Sequence, residues 1–330
     1  MATPTEAIYI NLHPFVNDPA ADVIIRSSSN SVDFRVRKAV LSEASDFFKQ
    51  MFTLPQANAI ENDHLHVDGS FSDEGFVDGL AVIPVTEDEE TTSMFLRLCY
   101  PRADHTISSL QEVKTALKTL QKYDVQYIPD SIILLLSNEA EHHPTTVYAI
   151  ACGYNLSSIA NKAARASLKK PLLHDTISRE DFDLMSAYQY DLLLRYHTRC
   201  SDVASQTAAS FDWMKYIYKF PLPEHRERRG CTCPTTPIRS PSSGAMAGSN
   251  WGMPVLNWVI EFMKECAEEL KVTPCWEVLM KRGTTIMHGS VAAVAGGCVP
   301  CREEVEKLPL FAERIGKQVE FVIAEVDPPF

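Results

Sequence analysis

"DFRVRKAVLSEASDFFKQMF", Asp33–Phe52, changes its hydrophobic period halfway along. Phe34 and Val36 alternate with Asp33 and Arg35, the period of two that a strand with one buried face requires. From Val40 the apolar residues are Ala44, Phe47, Phe48, Met51 and Phe52, which recur at helical spacing. Ser42 and Ser45 interrupt this run, and each is able to accept a hydrogen bond from a free amide at a helix start. The pattern predicts a short turn at Lys38–Leu41 and a second helix from about Ser45, stopped at Leu54-Pro55, so two helical elements follow the strand.

Working outward, "ADVIIR" (Ala21–Arg26) reads as a buried β-branched strand. The turn "SSSNS" joins it to the quoted strand, so a hairpin is expected. Residues 55–80 look loop-like and acidic. "LAVIPV" (Leu80–Val85) reads as a third strand, with Pro84 placing it at an edge or a strand end. Thr86 and the acids after it predict a helix start, with Met94, Phe95 and Leu98 on the apolar face and Pro101 as the stop. Further helices are expected around Val113, Leu117, Leu120 and Tyr123, and over Ile128–Leu136. The fold class that results is α+β: a small sheet capped by helices, then an all-α remainder.

Apolar residues make up 45% of the 330-residue chain and charged residues 22%, so core size is not limiting. The net charge of −12 opposes non-specific binding to nucleic acid or anionic membrane. Between Gln50 and Leu96 there is no Lys or Arg, yet ten acids occur: Glu61, Asp63, Asp68, Asp73, Glu74, Asp78, Glu87, Asp88, Glu89 and Glu90. Two readings stand, a solvated acidic loop or an acidic docking surface for a basic partner. "MATPTEAIYINLHPF" does not read as a signal peptide, and "SIILLL" (Ser131–Leu136) is too short to span a bilayer. Gly283–Cys301 is uncharged but rich in Gly, Ala, Thr and Ser, so it reads as buried or loop. Nine cysteines, an odd number, fit a reduced intracellular setting, cytoplasmic or nuclear.

Several segments together, "DVIIRSSSNSVDFRVRKAVLSEASDFFKQMF", "IPVTEDEETTSMFLRLCYP" and "ALKTLQKYDV", resemble a BTB/POZ domain over about 115 residues. With "YAIACGYNLSSIANKAARASL" (Tyr148–Leu168), the chain resembles the BTB proteins abundant in mushroom-forming basidiomycete fungi. One departure is Arg37, where the family usually carries histidine before the lysine. The resemblance implies a BTB domain over 21–137 behind an N-terminal tail of 1–20, and a helical BACK-like extension over 143–220. It also implies homodimerisation through the N-terminal strand and first helices, and protein partners. One such partner is a cullin scaffold of ubiquitin ligases, met in the family near the segment Glu87–Leu98, although no clean cullin-contact motif is present.

The rest of the chain reads as helices broken by a linker. Val147, Ile150, Ala151 and Tyr154 share one face, Gly153 and Asn155 mark a turn, and Ile159, Ala163 and Leu168 follow. Asp181–Cys200 and Val203–Tyr218 read as further helices. Residues 221–252 are rich in Pro, Ser and Arg and read as a linker holding Cys231-Thr-Cys233. Residues 253–330 supply a helix with Leu256, Val259, Met263 and Leu270, and a last one with Val305, Leu308, Phe311, Ile315 and Val319. Before the last helix stands Cys298-Val-Pro-Cys301.

Cys231, Cys233, Cys298 and Cys301 offer four thiolates, the number a closed tetrahedral zinc site takes, although 64 residues separate the two pairs. The alternatives are structural thiols and redox chemistry, the second without the strand-then-helix context it needs. His225 and His288 are substitute ligands on the same reading, or ordinary polar side chains. Cys99, Cys152, Cys200 and Cys266 lie on apolar helical faces and look like core. There is no nucleophile elbow, phosphate loop, dinucleotide fingerprint or paired convergent carboxylate in the sequence, so no catalytic residue is assigned and an enzyme is not expected. The expected function is non-enzymatic protein–protein interaction with no membrane partner, extending to a substrate adaptor for a cullin ligase. The alternative is a zinc-stabilised nuclear regulator that contacts nucleic acid or chromatin through Arg226, Arg228 and Arg229.

Overall fold

A computed structural model describes residues 18–29, 32–54, 75–100, 107–171, 177–210, 233–238, 253–280, 298–305 and 308–330. The chain divides into two compact units, Met1–Asn138 and Glu139–Phe330.

The first unit is built on a sheet of order β2-β1-β4-β3. Strand β1 (Val23–Arg26) pairs antiparallel with β2 (Asp33–Val36), joining Val23 to Val36 and Ile25 to Phe34. The expected hairpin is therefore present. Val23, Ile24 and Ile25 are all buried, so β1 is covered on both faces, as a central strand must be. In β2 only Phe34 and Val36 point inward, while outward-facing Asp33 receives two bonds from Arg26, at 2.6 and 2.8 Å.

β4 (Leu80–Pro84) runs parallel to β1, with Val23 opposite Ala81. A parallel neighbour needs a long crossover, and the quoted helices begin it. The sequence leaves out the fourth strand, β3 (Phe76–Val77), which falls inside the segment read as loop. It pairs antiparallel with β4 through a tight turn in which Asp78 and Gly79 both have positive φ, 51° and 77°. Those two conformations define the turn type that favours Asp-Gly. Because of β3, β4 is not an edge strand, and Pro84 takes the strand-end option.

The corner after β2 holds the two helical elements expected, the first longer than the short turn read at Lys38–Leu41. α1 (Lys38–Ala44) is complete, and α2 (Asp46–Thr53) begins directly after Ser45. α3 (Glu89–Cys99) is capped by Asp88 rather than Thr86, its carboxylate accepting from Thr91 N at 2.8 Å. α4 (Leu110–Lys122) and α5 (Asp130–Glu139) complete the unit.

In the second unit, α6 (Pro144–Gly153) is buried at almost every position and starts with proline, which needs no amide partner there. Asn155, at φ 55°, turns the chain into α7 (Ser157–Ser167). A Cβ on Gly153 would sit 2.9 Å from the Leu184 carbonyl, so glycine permits α6 to approach α8 (Arg179–Leu184) this closely.

The break that the sequence places at 200–203 lies elsewhere. α8 ends at Leu184, and α9 (Ala187–Ala209) runs unbroken through 23 residues. Two capping boxes set the starts: Ser178 with Asp181, and Ser186 with Gln189.

β5 (Thr235–Ile238) lies inside the segment read as linker and pairs antiparallel with β6 (Met253–Leu256). β6 leads straight into α10 (Asn257–Val272), and α11 (Val299–Val305) precedes α12 (Leu308–Ala324). α9 packs on both α10 and α12, so helices from either side of residues 221–252 share one unit. No helix among the described residues is long and apolar enough to cross a membrane.

Candidate functional site

Two places in the molecule hold side-chain arrangements that point beyond folding: the strand-to-helix corner of the first unit and a cysteine cluster in the second.

At the corner, Asp22 Oδ1 accepts from Lys38 N at 2.7 Å, and Tyr100 Oη accepts from Arg37 N at 2.7 Å. Both partners satisfy amides that α1 leaves without carbonyls. Arg37 grips Asp18 with two bonds of 2.6 and 2.8 Å. That guanidinium holds the Asp18 carboxyl below the usual carboxylate range. The aromatics divide by exposure. Phe48 is buried at 1%, while Phe47 stays 44% exposed and Leu54, closing α2, 62%. The corner therefore fills the core with one side and leaves apolar surface on the other. Tyr127 and Leu134 are further exposed apolar side chains of this unit.

The acidic stretch is partly committed inside the molecule. Asp78 pairs with Arg35, Asp88 caps α3, and Glu87 contacts both Lys122 and Tyr123. Burial pushes the Glu87 carboxyl up, but the bonds from Lys122 and Tyr123 outweigh it and hold the group below its ordinary 4.5. A carboxylate with a depressed folded pKa adds stability above its unfolded pKa and loses it as pH falls through the folded value. Thermal melts should therefore show the N-terminal unit weakening as pH drops below the ordinary Glu value of 4.5. Glu87→Gln should flatten part of that acid limb; an unchanged limb would mean that Glu87 does not contribute. Glu61, Asp63, Asp68, Asp73 and Glu74 lie outside the described residues.

The second site gathers cysteines. Cys233 stands two residues before β5, Cys298 immediately precedes α11, and Cys301 sits in its first turn. Their three Sγ atoms all lie within 4.8 Å of one another, with Cys301 Sγ 3.6 Å from Cys233 Sγ. Cys301 is buried, and Cys233 and Cys298 are half-buried. Cys231 lies outside the described residues, as do His225, His288 and the arginines 226, 228 and 229.

The other described cysteines behave differently. Cys99, Cys152, Cys200 and Cys266 are buried as the sequence leads one to expect, and so is Cys275, which it does not single out. Burial pushes their thiols up, to about 12 for Cys99 and Cys266 and about 11 for Cys152, Cys200 and Cys275. They are protonated core residues with little nucleophilic or ligating character.

The crevice beside Trp276 is less informative. Two of its three cations pair within the protein at these distances: Lys169 with Glu141 at 2.9 Å, and Arg165 with Glu320 at 3.1 Å.

The family model of the BTB/POZ domain matches residues 14–75, which span β1, β2 and the corner helices. Residues 14–75 thus carry a BTB/POZ domain, a protein–protein interaction module. No curated protein matches the chain.

Proposed function

We propose that this protein is a non-catalytic, intracellular adaptor. Its BTB/POZ unit pairs two copies, and the assembly brings a partner protein to a cullin scaffold. The observation that carries the reading is the BTB/POZ match over a corner that keeps Phe47 and Leu54 at the surface. A two-fold pairing uses one self-complementary patch twice, so a modest apolar surface on each copy doubles in effect. An adaptor contributes no bond-breaking step; it raises the concentration of one protein near another. Cys99, Cys152, Cys200, Cys266 and Cys275 form no disulfide, which suits a reducing compartment. Near α3, Glu90 is exposed, whereas Glu87 and Asp88 hold the fold together. Recognition of a cullin there would therefore rest on shape and apolar contact more than on charge.

Light scattering coupled to size exclusion tests the pairing. The full chain should elute with the mass of a dimer, and Leu54→Glu should shift it toward the monomer without changing its far-ultraviolet circular dichroism. A wild-type monomer at about 100 μM would overturn the pairing, since stable interfaces hold well below that concentration. Co-elution with purified cullin N-terminal regions at micromolar concentration tests the second half; failure with every cullin tried removes that partner and leaves the pairing standing.

A further inference from the structure

We propose that Cys233, Cys298 and Cys301 form a structural zinc site that clamps the β5–β6 ribbon to the start of α11. The proposal is independent of the dimer and cullin reading, because it rests on the second unit alone.

Geometry carries it. Zinc–sulfur bonds of about 2.3 Å at tetrahedral angles separate the sulfurs by about 3.8 Å. The Cys233–Cys301 separation of 3.6 Å is close to that edge, and Cys298 falls within the same 4.8 Å cluster. A disulfide needs sulfurs at about 2.05 Å and has no use for a third thiol at the same point. Ordinary core packing does not account for the cluster either. The core cysteines of this chain are buried, whereas Cys233 and Cys298 are half-buried. Cys298 and Cys301 stand three residues apart at a helix start, which puts both on one face, and Cys233 meets them from a segment distant in sequence. Convergence from two sequence-distant segments is what a cross-brace needs.

The local structure also needs one. β5 and β6 have four residues each, and α11 has seven. A lone two-stranded ribbon and a helix that short are marginal in water. Soft thiolate donors favour zinc over hard cations such as magnesium or calcium. Three thiolates fill three of zinc's four positions. Cys233, Cys298 and Cys301 are the donors that the described residues supply to the group.

The test uses the full chain, purified with a phosphine reductant and desalted. Elemental analysis should find about one zinc per chain, surviving desalting because structural sites bind tightly. Stripping it with a strong chelator should lower Tm by more than about 5 °C, and zinc but not magnesium should restore it. Cys298→Ser/Cys301→Ser should reduce zinc at least tenfold. Because losing two clamping side chains also loosens this part of the second unit, a second measurement stands beside that variant. Wild-type chain stripped and refilled with Co(II) should show the thiolate charge-transfer band and the visible bands of four-coordinate cobalt. Zinc lost on desalting, a Tm indifferent to chelation, a Cys233–Cys301 disulfide in non-reduced peptide maps, or iron with labile sulfide in place of zinc would each overturn the proposal.

Discussion

Phe48→Ala should lower the stability of the N-terminal unit by about 3–5 kcal/mol, the usual cost of emptying a buried aromatic site. Phe48 sits at the centre of a ring cluster. Its ring centroid lies 5.2 Å from that of Tyr123 and 5.8 Å from that of Phe52, both stacked, and 5.3 Å from that of Phe47, edge-on. Phe95 closes the group at 6.1 Å. Four elements therefore meet on one side chain: α2, which holds Phe47, Phe48 and Phe52; α3, which supplies Phe95; the end of α4, which supplies Tyr123; and, through Ser45, the end of α1. Truncation removes apolar burial and also the oriented ring pairs, each worth about 0.5–1.5 kcal/mol. A domain of this size has only about 5–15 kcal/mol to lose. Urea unfolding followed by tyrosine fluorescence measures the change. Phe47→Ala is the internal control: at 44% exposure it should cost much less, although it lies on the same helix and touches the same ring. Equal and small losses at both positions would show that the cluster is not the core of this unit.

How legible this architecture was depended on how local each signal is. β1 and β2 announce themselves because consecutive β-branched residues and clean alternation need no tertiary partner to be read. β3 has two residues, too few for a period; its surviving signal is the dipeptide Asp78-Gly79, whose positive φ values only a tight hairpin requires. The boundary between α8 and α9 carried two marks, Ser178 with Asp181 and Ser186 with Gln189, each a capping box three residues wide. Apolar periodicity outweighed them and put the break near Cys200, where the chain in fact stays helical. β5 was hidden for a different reason. Pro, Thr and Ser composition signals loop, and its pairing partner β6 lies beyond a long intervening segment. The cysteine cluster was legible as residue types and as a count. Its convergence was not, because spacing along the chain says nothing about a contact made across 64 intervening residues. Fold identity came from distributed motifs, while Arg37, read as a departure from them, holds Asp18 by two bonds.

Ser45→Ala should cost the same unit about 2–4 kcal/mol, more than a surface helix cap does, because one hydroxyl serves two buried groups. Ser45 Oγ accepts from Phe48 N at 3.1 Å, which caps α2, and its own hydrogen goes to the Tyr123 carbonyl. The residue is 1% exposed, so water does not replace either bond. Loss of an N-cap side chain costs about 1 kcal/mol. A buried carbonyl left without a donor costs about 1–3 kcal/mol more. The two terms act at the same seam, where Ser45 also bridges Val125 through the backbone and Asp46 N bonds Asp124 O at 3.2 Å. The effect should thus spread beyond α2: amide hydrogen exchange should quicken at Phe48, at Asp46 and at Val125 together. Exchange that quickened at Phe48 alone would mean a plain cap, with Tyr123 finding another donor. A stability loss under about 0.5 kcal/mol, the range of ordinary surface substitutions, would refute the double role. The corner matters to function for the same reason. Phe47 lies on α2 and Leu54 closes it, and Ser45 ties the first turn of α2 to the end of α4. A folded Ser45→Ala chain should therefore pair more weakly than wild type even where Leu54 is untouched, and unchanged self-association in that variant would separate the seam from the interaction surface.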